Sequence, residues 1–575
     1  MSTDAIMRGE AELRRCLGEA EGALVAAKAR AGELAAFEIK LPVDYLGVER
    51  TLRVSFGESF PDLPATFSVL PWPTLDWPHV MTGGLCLHAE DEQPLNDTPE
   101  ASISYSFSQF SSLLQFNLSG SDETVRRHEF QKEIRSYWAL QIPTAEHRLT
   151  LISIPNRSGP LDVVSDRPGM QRQNLRYLAA PEHSQINAFE KRQGRQHVQS
   201  RATAKAGYFL KLVETPPPRL PGPNSDLISW LIPSIEPSGL VEFQSWLDET
   251  RDLGARWIVM SLPTEDIALE AFYVTAPGMN RKTRRVFGRR TQRRQTWRAQ
   301  KPSALSRVQI DVLDPMVIHQ RGGQAAAKLS DKKIVLVGAG SLGGELAVTL
   351  ARTGVGMLVL VDPDVLEDVN VGRHVLGASD LGRPKVIALA DRIRRDIPTT
   401  EVVAIPKAVQ AATGSLATHF RDADLVLVTT ANWPSEAYLW ALKAAGSEWT
   451  LIQAWSEPHA LVGHALIAPK GSYDGRYLFE RGNFRHLKSD WPSNGVIPLP
   501  ACGQSYIPGS GANLSRIVSM IAACALRALA NPPDMPKWHF TVGGLEQIEE
   551  LEGTYTGPSL PAGQCFIECV QEWPP

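Results

Sequence analysis

Three stretches of this 575-residue chain place reactive groups where packing alone does not call for them. Residues 71–88, PWPTLDWPHVMTGGLCLH, end a stiff run of prolines and tryptophans on a single thiol, Cys86. A thiol in that polar, glycine-flanked setting suits a nucleophile, because the reactive thiolate needs access and polar neighbours; a packed core thiol needs neither. His79 stands seven residues earlier, where it either donates a hydrogen bond toward a developing oxyanion or holds the loop. Residues 332–344, KKIVLVGAGSLGG, read as a strand, a glycine turn and a helix start. Gly338, Gly340 and Gly343 let backbone N–H groups and a helix N-terminus approach a phosphate. Asp362 follows Gly338 by 24 residues, at the end of a second strand, where a carboxylate accepts from ribose hydroxyls. Taken alone, this fingerprint fits NAD as well as ATP. The third stretch, IPLPACGQSYIPGSG (497–511), sets Cys502 among prolines and glycines just before an apolar helix, the surroundings of an accessible thiol nucleophile.

The elements that must carry these groups fall into three regions. The chain is too long for one hydrophobic core. Its 43% hydrophobic and 21% charged residues read as globular. Residues 6–35 have helical periodicity, and FEIKLP, TLRVSFG and ATFSVLP then read as a strand meander, with helices near 107–116 and 122–140. The region 148–310 is mixed, with strand-like RLTLISIP, GYFLKLVE, RWIVMSLP and ALEAFYVTA and a helix around 239–253. From 331 apolar strands alternate with helices, the signature of a parallel α/β sheet. Six cysteines without a Cys-x-x-Cys spacing argue against a disulfide framework or a zinc site, so a cytoplasmic setting is expected. A net charge of −4 and the lack of an apolar leader or an unbroken 18-residue apolar run set expectations of no membrane and no nucleic-acid partner.

Beyond the glycine turn, VDPDVLEDVNVGRHVLGASDLGRPKVIALADRI resembles the ThiF/MoeB and ubiquitin-activating family of adenylating enzymes. The resemblance implies that Asp362, Asn370, Arg373 and Lys385 hold ATP, with Arg373 and Lys385 neutralising the departing pyrophosphate. It also implies Mg2+. The usual metal-supporting aspartate is replaced by Ala431, leaving Asn432 from that string, with phosphates, water and Asp364 or Asp424 as the candidate metal ligands. Ubiquitin-activating relatives pass the acyl group to their own cysteine, the role this resemblance gives Cys502. The first ~150 residues resemble a ubiquitin-conjugating domain, which makes Cys86 the second acyl carrier.

Together the two ends resemble the bacterial fused activating–conjugating enzymes of cyclic-oligonucleotide antiphage islands. The expected fold is multidomain α/β: an α+β ubiquitin-conjugating-like domain at 1–147, a mixed α/β linker domain at 148–315, and a Rossmann-like ThiF-type adenylation domain at 316–575. The implied partners are a target protein with a C-terminal carboxylate, a bacterial nucleotidyltransferase by the resemblance, an amine acceptor protein, and a second copy of the chain in a homodimer. Two other readings stay open: a sulfur-carrier adenylyltransferase, and a nucleotide-gated scaffold without catalysis. The strip 281–301, with ten Lys or Arg in 21 residues, reads as a solvated linker, a docking strip for an acidic partner or, as the weaker option given the balanced total charge, a contact for nucleic acid through phosphates and stacking on Trp297.

Overall fold

The computed structural model describes residues 2–81, 84–88, 98–142, 144–165, 176–193, 203–221, 227–250, 253, 255–275, 304–320, 328–498, 505–559 and 566–574. Cys502, Cys565 and the basic strip 281–301 lie outside the described residues. The chain folds into two compact units, one of 1–150, 155–181 and 201–311, the other of 151–154, 182–200 and 312–575.

The first unit opens with α1 (Ser2–Leu17). The helix expected over 6–35 ends there, because Gly18 takes a left-handed backbone (φ +56°) and a 3-10 turn over Gly18–Ala23 leads into a strand. Strands β1 (Val25–Ala27), β2 (Ala35–Lys40), β3 (Thr51–Phe56) and β4 (Thr66–Leu70) form an antiparallel meander in sequence order. Alternate residues Leu52, Val54 and Phe56 of β3 are buried with Leu13 of α1 and with Ile103 and Phe110 of α2 (Pro99–Gln115). Thr98 caps α2 by accepting from Ala101 N. A short pair, β5 (Val80–Met81) and β6 (Gly84–Leu85), follows the proline stretch. The segment 122–140 is two helices, α3 (Glu123–Lys132) and α4 (Ile134–Gln141), broken at Glu133, whose φ of −120° and ψ of 20° leave the helical region.

Residues 144–312 close into a barrel. Its strands are β7 (Thr144–Leu151), β8 (Gly159–Ser165), β9 (Arg176–Ala180), β10 (Thr203–Lys211), β11 (Ala255–Ser261), β12 (Leu269–Thr275) and β13 (Ala304–Val312), in the closed order β10-β11-β12-β13-β7-β9-β8. Tyr208, Leu210, Ile258, Met260 and Phe272 pack on one face against Trp138 of α4 and against Phe243 and Trp246. The neighbouring positions Trp257 and Tyr273 face the other way, in a cluster with His147 and Tyr177. The stretch read as a separate linker region is thus a seven-stranded barrel within the first compact unit, apart from 151–154 and 182–200.

The second unit is built on an eight-stranded sheet. Strands β14 (Lys333–Val337), β15 (Met357–Val361), β16 (Glu401–Ile405), β17 (Leu425–Val428), β18 (Thr450–Ser456), β19 (Val462–Ala468), β20 (Lys537–Gly543) and β21 (Phe566–Gln571) lie in the order β16-β15-β14-β17-β18-β19-β20-β21. The first five run parallel, with the chain reversing its direction of travel across the sheet next to β14, and the last three are antiparallel additions. Ile334, Leu336, Leu358 and Leu425 are buried under helices on one face, and Val335, Val359 and Val426 under those on the other, as two-sided parallel strands require. The 20-residue helix Gly511–Ala530 is long and apolar enough to cross a membrane; here its Ile517, Ile521, Cys524 and Ala525 are buried in the sheet's core.

Candidate functional site

In the second unit, the end of β14 turns sharply into helix α5 of the site (Ser341–Arg352), and each fingerprint glycine has its own physical reason. Gly338 has φ +100°, and a Cβ there would stand 2.7 Å from the Thr429 backbone. Gly340 precedes the helix facing open space, so a ligand can approach its backbone. Gly343 packs the helix onto the turn, since a Cβ would sit 1.9 Å from Gly338 O and 2.5 Å from Thr429 Oγ1. Gly343→Ala is therefore expected to cost about 1–3 kcal/mol of stability and to weaken nucleotide binding by displacing the turn. Thermal unfolding with and without ATP checks both effects, and wild-type values in both would remove this role for Gly343.

The turn is held from two sides. Asp362 accepts from Ala339 N (2.6 Å) through Oδ2 and from Asp364 N (2.8 Å) through Oδ1. Burial pushes its carboxyl up, against these bonds. His374 is within 2.8 Å of Ala339 O through Nε2, while its Nδ1 accepts from Leu376 N (3.0 Å), which fixes Nε2 as the donor. Burial lowers its pKa, consistent with that neutral imidazole.

A cleft of about 540 Å³ opens over this turn at the carboxyl ends of the parallel strands, beside the switch in strand order. Gly338, Gly340, Asp362, Asn370, Arg373 and Lys385 all line it, and Gly343 stands behind the turn. Lys385, the first residue of a helix over Lys385–Asp396, is 8% exposed and reaches Asp364 Oδ2 at 3.0 Å. Arg373 donates through Nη1 to Ile507 O (3.3 Å), while its buried Nε has no partner among the described residues. An orphaned guanidinium N–H and a lysine beside a glycine turn suit a phosphate chain. Asn370 accepts from Glu367 N through Oδ1 (3.1 Å).

For a divalent cation the donor set is thin. Ala431 offers no ligand atom and sits at φ +49°, and Asn432 caps the next helix by accepting from Ser435 N (3.2 Å). Among the described residues no three His, Cys, Asp or Glu side chains converge as a metal cluster. Asp364, 63% exposed at its side chain, is the carboxylate at this cleft whose oxygens are not both taken by backbone N–H groups. That set fits Mg2+ held mainly by phosphates and water with one protein carboxylate. Sequence reasoning missed Ser341, Lys407, Gln410, Thr430 and Ser435, which also line the cleft. Their signal was positional: they follow the first, third and fourth parallel strands of the chain.

In the first unit, the proline–tryptophan stretch is bolted down by Asp44. Its Oδ2 accepts from Arg50 Nε (2.9 Å) and from Trp77 Nε1 (3.2 Å), and Tyr45 Oη donates to Asp76 O (2.5 Å). Trp77 is fully buried. The chain then turns at His79, which has φ +59°, and Cys86 N donates back to His79 O (2.8 Å). Cys86 is exposed at the wall of a cleft of about 360 Å³ that His79, His88, Glu129 and Glu133 share. His79 Nε2 lies 3.1 Å from Glu129 and Nδ1 3.1 Å from Glu133, so both ring nitrogens are taken by carboxylates. This arrangement favours the loop-holding role for His79 over an oxyanion donor. Cys524, by contrast, is buried, and burial pushes its thiol up to about 12.

Burial disfavours the charged form of His79, but Glu133 and Glu129 outweigh it, and the pKa is raised above 6.5. Burial likewise opposes ionisation of Glu129 and Glu133; Lys132 and His79 at the first, and His79 at the second, hold both below 4.5. The imidazolium's contribution is complete below pH 6.5 and is lost as pH rises through the raised value. The carboxylates' contribution is present above pH 4.5 and is lost as pH falls through their lowered values. The stability difference between wild type and His79→Gln is therefore expected to peak between pH 4.5 and 6.5 and to shrink in more alkaline solution. Urea unfolding across pH checks this, and a difference that stays flat would break the assignment.

The ThiF family model matches residues 315–453, which span β14–β17 and most of β18. The chain is 29% identical over 205 residues to an ATP-dependent ubiquitin transferase-like protein Cap2 of Pseudomonas aeruginosa, a match covering 34% of this chain and 36% of that protein. It is 40% identical over 89 residues, 15% of each chain, to an Escherichia coli protein of the same description. A probable adenylyltransferase/sulfurtransferase MoeZ of Mycobacterium tuberculosis is 28% identical over 211 residues, 36% of this chain and 50% of that one. The matched stretches thus span between about a seventh and a half of these relatives' own lengths. This chain carries a ThiF family domain over residues 315–453, set in a mixed α/β multidomain protein similar to ubiquitin transferase-like and ThiF/MoeB-type adenylyltransferase proteins.

Proposed function

We propose that this protein uses ATP to adenylate the C-terminal carboxylate of a target protein, carries the acyl group as thioesters on Cys502 and then Cys86, and conjugates it to an amine. The observation that carries the reading is the convergence of the glycine turn, Asp362, Arg373 and Lys385 on one cleft. A dinucleotide dehydrogenase does not need two cations placed there; an adenylating site does. The target's carboxylate oxygen attacks the α-phosphorus, the bond to the β-phosphate oxygen breaks, and pyrophosphate leaves with charge that Arg373 and Lys385 offset. The Cys502 thiol then displaces AMP, and thioester exchange moves the acyl group to Cys86. Mg2+ bound with the nucleotide would add charge neutralisation there, with Asp364 as its protein ligand.

Following the family resemblance, the target is a cyclic-oligonucleotide-producing nucleotidyltransferase, the acceptor a protein amine, and the setting antiphage defence in the cytoplasm, with the chain acting as a homodimer. The N-terminal helix, four-stranded meander and following helices are read as a ubiquitin-conjugating-like domain, with boundaries at 1–147, 148–315 and 316–575. The likeness to MoeZ favours a second reading, a sulfur-carrier adenylyltransferase in which Cys86 has no part. Purified protein with candidate target and ATP should give pyrophosphate exchange and a thiol-reducible adduct on Cys86. Exchange without that adduct selects the sulfur-carrier reading, and absence of both leaves the nucleotide-gated scaffold.

A further inference from the structure

Beside Cys86 the structure places a cluster that thioester loading alone does not need. Glu133 occupies the break between α3 and α4, so its side chain leaves the helical register and reaches the thiol loop. The Cys86 thiol and the Glu133 carboxyl line the same cleft, and Cys86 Sγ also reaches His88 O at 3.8 Å. Glu133 Oε1 faces His79 Nδ1 at 3.1 Å, and Tyr137 Oη donates to Oε2 at 3.1 Å. The same Tyr137 oxygen accepts from His79 N at 2.7 Å. Glu129, the other carboxylate, is engaged by Lys132 Nζ (2.7 Å) on one oxygen and by His79 Nε2 (3.1 Å) on the other. His88 faces the same cleft, with Nε2 3.1 Å from Ser106 Oγ. Charge is thus shared out so that Glu129 is closed off by two cations, while Glu133 is the ionised group at the thiol.

We propose that Glu133 is the proton acceptor for a primary ammonium, a lysine-type side chain, that attacks the acyl group on Cys86, and that His79 is the positioning residue that holds Glu133 there. The inference rests on the reading of Cys86 as an acyl carrier. An alkylamine enters the cleft protonated at neutral pH and is not yet a nucleophile. Its nitrogen gives a proton to the Glu133 carboxylate, and its lone pair attacks the thioester carbonyl carbon. The C–N bond forms, the carbonyl electrons move to oxygen and return, and the C–S bond breaks. The nitrogen, now bonded to carbon, sheds a second proton, which the departing Cys86 thiolate takes up, and the proton on Glu133 goes to solvent, so the balance is thioester plus ammonium giving amide, thiol and one proton released to solvent. The His79 ring is not placed to take that proton, since both of its nitrogens face carboxylates; it fixes Glu133 through Nδ1 and Glu129 through Nε2, while the His79 backbone carbonyl accepts from Cys86 N.

The test uses full-length protein whose Cys86 has already been loaded, so that rates are read per loaded thiol. Glu133→Gln is expected to slow discharge to free lysine at pH 7 about 100-fold. Discharge to methoxyamine, which is already neutral at that pH, should fall far less. A residue that only shapes the loop would slow both amines alike, and that outcome overturns the proposal, as does lysine discharge at the wild-type rate. If Glu133→Gln is not recovered folded, Glu133→Asp keeps the charge facing His79 and withdraws the carboxylate by one methylene. It must give the same split between the two amines for the proposal to stand. Failure of wild-type Cys86 to load at all would instead strike the acyl-carrier reading.

Discussion

Lys385→Ala should lower ATP–pyrophosphate exchange by about 100- to 1,000-fold while leaving the fold intact. The reason is where the lysine stands. Its stem is buried at the start of its helix, the residue being 8% exposed, and its ammonium lies 3.0 Å from Asp364 at the cleft wall. A lysine placed there contributes little to cohesion, because its partner carboxylate is 63% exposed and such a pair stabilises by less than about 1 kcal/mol. For the departing pyrophosphate the same charge counts for much more, since it meets charge that grows during the reaction. Arg373→Ala should follow it, since among the described residues its Nε is orphaned and its guanidinium bonds Ile507 O alone, which suits a guanidinium that meets an anion. Unchanged thermal unfolding with lost exchange is the expected pair of results. Normal exchange by Lys385→Ala would remove the nucleotide assignment from this cleft.

Lys385 and its neighbours were legible in the sequence because their geometry is local. A strand, a glycine turn and a helix bring Gly338 to Gly343 together within six residues; Gly338 and Gly343 answer to close contacts with the turn itself and with Thr429, and Gly340 to the open space in front of it. The acid at the end of the next parallel strand follows from the same periodicity. What was not legible depends on long-range pairing. The barrel closes where β10 pairs with β8 and, on its other edge, with β11, some fifty residues away in each direction, and nothing in a single strand says which partner it takes. Glu129 and Glu133 stand at i and i+4 beside Lys132, and the sequence alone names no distant partner for them. Their actual partner is His79, fifty residues upstream, and the break at Glu133 that turns it toward Cys86 has no proline or glycine to announce it. For His79 the sequence offers an oxyanion donor or a loop-holding residue, and it does not show the two carboxylates that the ring meets. Asp44 anchors Trp77 and Arg50 beneath the thiol loop, and Trp77 lies too far along the chain for local pattern to announce that bond.

The order of transfer gives the second large effect. Cys502→Ala should still form adenylate, because Asp362, Arg373 and Lys385 at the nucleotide cleft are untouched by the change, yet should leave Cys86 empty. Cys86→Ala should let the acyl group reach Cys502 and stop. The direction has a chemical basis. An acyl-adenylate forms only where ATP binds, so the first thiol must be one served by the ThiF-containing unit, and exchange between two thioesters is nearly isoenergetic. Net flow then comes from consumption of the last thioester by an amine, which makes the amide bond and does not readily reverse. Cys86→Ser sharpens the test. The serine hydroxyl can accept the acyl group as an oxyester, which amines attack far more slowly, so the target protein should accumulate on residue 86 and be seen there by mass spectrometry of the intact protein. The exposed position of Cys86 and its place on the cleft wall leave room for a chain terminus at that atom. A loaded Cys502 with no oxyester at residue 86 would make Cys86 a structural thiol, and the bolted tryptophan loop beneath it the frame of a binding surface.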